Sequence, residues 1–134
     1  MSQRSPNFMA GSGAMFFSAA IFGFFGFYFF GFGATPTTYA SIFMWTLKIA
    51  AVGFAVCGVV TFANPFSGNL AYGILGLIAA ASFLVVAVMD MLDPGPPLFA
   101  YAPVILTAFA LWNGWNAWTS VRTVIALRDV PDPP

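Results

Sequence analysis

Apolar residues dominate four stretches of this chain, and short clusters of proline, glycine, asparagine and threonine separate them. A helix that crosses a membrane needs about 20 mostly apolar residues, because a hydrocarbon core of ~30 Å is traversed at 1.5 Å per residue. All four stretches meet that length. The first, 14–34, carries no charge; the second, 42–63, encloses Lys48; the third, 70–92, has Asp90 near its end. The fourth begins at Leu98, is apolar to Ser120, and continues through Arg122 to Arg128, giving a helix over 98–128. The connectors hold the expected breakers: Thr35-Pro36-Thr37-Thr38, Asn64-Pro65-Phe66-Ser67-Gly68-Asn69 and Asp93-Pro94-Gly95-Pro96-Pro97. Joins this short make successive helices antiparallel neighbours.

The fold class that follows is an all-α integral membrane protein, a four-helix antiparallel bundle forming a single membrane domain over 1–134. A cleaved leader is the competing reading of the first stretch. Its apolar run, however, exceeds the usual length of about 7 to 15 residues, and Arg4 is the only cation before it. With the segment retained, Arg4, Arg122 and Arg128 fall on one side against Lys48 alone. The excess of basic residues then puts both termini in the cytoplasm of a bacterial-type inner membrane. Trp112, Trp115 and Trp118 approach the cytoplasmic end of the fourth helix, and Tyr39 with Trp45 begins the second at the outer side, as aromatic belts would.

Composition narrows the chemistry. Of 134 residues, 60% are apolar and 6% charged, about a quarter of the charge density of a soluble domain. There is no histidine and no glutamate, and Cys57 stands alone, too apolar in its surroundings to be reactive and unable to form an internal disulfide. Catalytic acid and base pairs, metal clusters and nucleic-acid grips all lack their usual residues, so an enzyme is not expected and nucleic acid is not a partner. No cofactor is expected. A lipid or pigment could bind, but without histidine ligation. Gly11-Ser12-Gly13 is too short to read as a phosphate loop.

Three groups of residues stand out. Lys48 and Asp90 are the charges inside apolar stretches, at what the helix limits suggest is similar, shallow depth on neighbouring antiparallel helices, so each is expected to be the other's partner in a structural ion pair. Trp112, Asn113, Trp115 and Asn116 form the most distinctive text of the chain, a face of the fourth helix suited to contacting protein through amide hydrogen bonds. Ala19, Gly23, Gly26 and Gly33 on the first helix, and Gly73, Gly76 and Ala80 on the third, make smooth stripes along which another helix can approach closely. Nine of the seventeen phenylalanines lie between Phe16 and Phe32, and those opposite the first stripe are expected to face lipid, pigment or another subunit.

These features favour an accessory or structural transmembrane subunit of a larger membrane complex, of respiratory, photosynthetic or transport type, whose partners are the bilayer and other membrane subunits. The alternative is a small homo-oligomeric channel or transporter, with Lys48, Asp90 and the asparagines lining a path between protomers.

Overall fold

The computed structural model describes residues 5–29, 38–95 and 101–128, all of them in helices or the turns that end them. Four helices follow in order: α1, Ser5–Gly23, continued by a π-helical turn over Phe24–Phe29; α2, Thr38–Ala63; α3, Pro65–Leu92; and α4, Ala102–Arg128. No strand occurs among the described residues. α2 and α3 are long and apolar enough to cross a membrane, over Tyr39–Ala63 and Pro65–Leu92, whereas Ser12–Tyr28 forms a shorter apolar stretch. α4 is as long but interrupts its apolar text with threonines, asparagines and arginines. Among the described residues, two helices and not four therefore pass on length and composition.

The helix starts depart from those expected. α1 begins nine residues before Ala14, and α2 four residues before Ile42. α3 begins five residues before Leu70 and so absorbs nearly the whole second connector. Asn64 is the one residue between α2 and α3. Its side chain accepts a hydrogen bond from the Ser67 amide (3.1 Å), and Pro65, with its fixed φ and no amide hydrogen to satisfy, fills the first helical position. Residues that read as breakers are thus the cap and first turn of the helix. The expected start of α4 at Leu98, and the end of the first segment with Gly33, lie outside the described residues.

α2 packs antiparallel on both α1 and α3, and α4 packs most closely on α3. α1 and α4 meet through aromatic side chains: Phe17 with Trp112 (6.4 Å between ring centres) and Phe22 and Phe25 with Phe109 (5.8 and 6.0 Å). Phe22 is the centre of the bundle. Its ring, 1% exposed, touches Phe54 of α2 and Phe83 of α3 at 5.7 Å each, besides Phe109 of α4. Tilted and edge-on ring contacts of this kind add to plain burial.

Glycines set the closest approaches. Gly26, in the π-helical turn, lies where a Cβ would meet Leu47 Cβ at 3.0 Å and the α2 backbone at 3.2 Å, and Gly23 faces Ala51. On α3, Gly73 and Gly76 face Ser120, Ala117 and the Asn113 carbonyl of α4. Ala19 and Ala80 are half-buried, the former against the aromatic core. Gly68 is tightest, because a Cβ there would run into the Thr61 side chain and lie 2.7 and 2.8 Å from the α2 backbone.

Two stability outcomes are expected. Phe22→Ala removes the ring shared by all three neighbouring helices and should cost about 3 kcal/mol or more. Gly68→Ala should cost about 1 to 3 kcal/mol by overpacking a backbone that cannot shift, whereas Gly114→Ala, with nothing within 4 Å, should be neutral or stabilising. Thermal unfolding of the detergent-solubilised protein measures all three, and equal losses for Gly68→Ala and Gly114→Ala would refute the tight hairpin.

Candidate functional site

Lys48 projects from α2 beside the π-helical turn of α1. Its ammonium lies over the Phe27 ring at 5.9 Å and the Trp45 ring at 5.3 Å from their centres. The same residues, with Ile49, Val52 and Gly53, line a groove of about 540 Å³ that opens outward between the two elements. The π-helical turn matters here, because Gly26 within it lets α1 press against the backbone of Leu47 and Lys48, bringing Phe27 to the lysine. A second groove, of about 400 Å³, lies between α2 and α3 on the other side of Trp45 and Ile49, with the hydroxyl-bearing Ser41, Thr46 and Ser82 in its lining.

Asp90 is buried in α3, 4% exposed, and interacts within the bundle. It is not at the depth of Lys48. The proximity of Gly53 to Leu75 and of Gly68 to Thr61 sets Lys48 level with about Ala80, ten residues or roughly 15 Å along the axis from Asp90. The structure therefore does not bring together the two charges expected to pair. The equal, shallow depths assumed for them fail because α2 begins at Thr38, ten residues ahead of Lys48.

The acid that does find a phenol is Asp93, in the third connector. The Tyr39 hydroxyl donates to its Oδ2 at 2.6 Å, and the Gly95 amide donates to its Oδ1 at 2.8 Å. Both hydrogen bonds favour the ionised carboxylate, the phenol more than the amide, and they hold Asp93 below the ordinary aspartate value of 3.8. The contact ties the start of α2 to the end of α3. The text Asp93-Pro94-Gly95 carried the signal for the local turn; nothing in the sequence announced Tyr39.

The α4 face divides in two. Asn113 is 1% exposed and donates through Nδ2 to the Phe109 carbonyl (2.8 Å), while Asn116 is half-buried and its backbone carbonyl accepts from Thr119 Oγ1 (2.9 Å). Asn113 Oδ1 and Asn116 Nδ2 are enclosed without a hydrogen-bond partner among the described residues. Trp112 leans on Phe17, yet Trp115 and Trp118 point outward, 63% and 56% exposed. Among the described residues, then, the asparagines and Trp112 meet protein while most of Trp115 stays exposed.

Further buried polar contacts join α1 to its neighbours. Ser12 Oγ donates to the Gly58 carbonyl (3.1 Å), Ser18 and Tyr72 share a hydrogen bond of 3.0 Å, and Thr61 Oγ1 reaches both the Cys57 carbonyl (2.7 Å) and Met15 Sδ (3.2 Å). Among the described residues no three His, Cys, Asp or Glu side chains gather as metal ligands would.

No family model matches the chain, and no curated protein or solved structure matches it significantly.

The Tyr39–Asp93 contact has a pH signature. Because the folded pKa of Asp93 is depressed, its contribution to stability is fully present above the unfolded value and lost as pH falls through the lower, folded one. Tyr39→Phe removes the larger cause, so its acid-limb loss of thermal stability should be smaller than the parent's below about pH 4. Parallel curves for the two proteins from pH 2 to 6 would show that the contact is inert.

Proposed function

We propose that the chain is a multi-pass integral membrane subunit of a larger membrane complex, acting through helix packing and not through catalysis. The observation that carries this reading is the inverted surface of the bundle. Val52, Val56, Val59 and Phe62 on α2, Ile74, Leu77, Ile78, Val85 and Val88 on α3, and Val104, Leu111, Trp115 and Trp118 on α4 are exposed, while Ser12, Ser18, Thr61, Asn69, Asn113 and Ser120 are buried. An exterior this apolar, extending over several helices, suits lipid and other membrane helices and is costly in water.

The polar residues of α4 do not exclude it from the bilayer. Thr107, Thr119 and Thr123 each return their hydroxyl to a carbonyl three or four residues earlier on the same helix, as Thr46 does on α2. A hydroxyl satisfied in this way asks nothing of the surrounding hydrocarbon. On this reading all four helices cross, both termini lie on the cytoplasmic side with Arg4, Arg122 and Arg128, and Asp90 and Asp93 lie toward the opposite surface of a bacterial-type inner membrane.

Extraction of the native protein in mild detergent tests the reading. Other membrane subunits should copurify at a fixed ratio through successive columns. An isolated homo-oligomer that conducts ions in liposomes would replace the subunit by a channel or transporter. For topology, Gln3→Cys and Asp132→Cys in a Cys57→Ser background should stay unlabelled by an impermeant maleimide in intact cells and react after permeabilisation; labelling before permeabilisation would reverse the orientation.

A further inference from the structure

We propose that the groove between α2 and the π-helical turn of α1 receives a membrane-spanning helix of a partner protein whose Asp or Glu carboxylate pairs with Lys48. This rests on the membrane-subunit reading and names the chemistry of the partner. Lys48 lies three residues from the middle of the apolar span Tyr39–Ala63, which is roughly 4.5 Å along the helix. The middle of the α3 span, through the register of the two helices, falls at the same level. Its charge is therefore near the centre of the hydrocarbon, where an uncompensated ammonium is costly.

Among the described residues no carboxylate stands at that depth. Of the chain's four acids, Asp90 and Asp93 stand near the far end of α3, and Asp129 and Asp132 follow Arg128, the last described residue of α4. Phe27 and Trp45 compensate the ammonium in part through their ring faces. They also hold it where it is. Phe27 lies at the lysine's own depth and Trp45 less than one turn nearer the surface, so the side chain is not extended toward the headgroups, whose layer begins about 10 Å away. A lipid phosphate does not descend that far, whereas a carboxylate on a neighbouring helix can sit at any depth. The remaining lining, Ile49, Val52 and Gly53, is apolar, and Ile49 and Val52 face outward, which suits a helix surface. Among its described residues a second copy of this chain has no acid at that depth to offer.

The test uses the full chain in its own host, with the photoreactive residue p-benzoylphenylalanine replacing Val52 and the adducts sequenced by mass spectrometry. The expected product joins this chain to an apolar membrane span of a different protein that contains Asp or Glu. Lys48→Leu should lower the adduct yield about tenfold or more while leaving thermal stability equal to or above the parent's, and Lys48→Arg should retain most of it. Lys48→Asp combined with the partner's acid changed to lysine should restore the yield. An adduct to phospholipid alone, to a second copy, or to a span without an acid overturns the proposal, as does a yield indifferent to Lys48→Leu. If the fixed-ratio partners still copurify with Lys48→Leu and its adduct yield is unchanged, the subunit reading stands and this pairing falls; if nothing copurifies with the parent, the subunit reading itself has failed.

Discussion

All four helices meet in two rings, Phe22 and Phe83. Phe22 touches a phenylalanine from each of the other three helices, Phe54, Phe83 and Phe109, and Phe83 does the same through Phe22, Phe43 and Phe109. This sharing carries unusual weight for a bundle whose outside is as apolar as its inside. Between helices in a bilayer there is no water to expel, so association rests on dispersion, ring geometry and a few hydrogen bonds. α1 and α4 are joined mainly by rings, and most of those rings belong to this cluster.

The remaining contacts divide the work by depth. At the end where α3 leaves the bundle, Tyr39 and Asp93 tie two helices with a charged hydrogen bond. At the opposite end, Asn64, Thr61 and Gly68 close the α2–α3 turn with no slack, and Ser12 and Met15 fasten α1 to the same region. Between them the interior is aromatic and small-residue packing, with the Ser18–Tyr72 hydrogen bond as a polar stitch. Lys48 is the exception. It sits at the aromatic level but on the outer flank, which is why it has rings for company and not an acid.

Much of the architecture was legible. Four apolar stretches with breakers between them gave four helices, and the glycine spacing on the first and third marked surfaces that face α2 and α4. Helix starts were not, because Thr38 to Ser41 and Pro65 to Asn69 follow or contain polar and breaking residues yet form first turns, the second capped by Asn64. That single misjudgement set Lys48 too near the surface and so made Asp90 look like its partner. The π-helical turn had no readable signal in a run of phenylalanines around one glycine. The asparagine face divides for a geometric reason: positions three apart differ by about 60° around a helix, enough to bury Asn113 against α3 while Asn116 stays half-covered and Trp115 turns outward.

The single residue between α2 and α3 also bears on how such a protein is made. With only Asn64 between two long apolar helices, no stretch of chain could be drawn separately across a membrane after the first of them has entered. In a bilayer the pair would have to go in together as a hairpin, tip first, and its orientation would be fixed in one event. The flanking helices α1 and α4 would then be added to a template whose aromatic face, with Phe54, Tyr72 and Phe83, is already assembled.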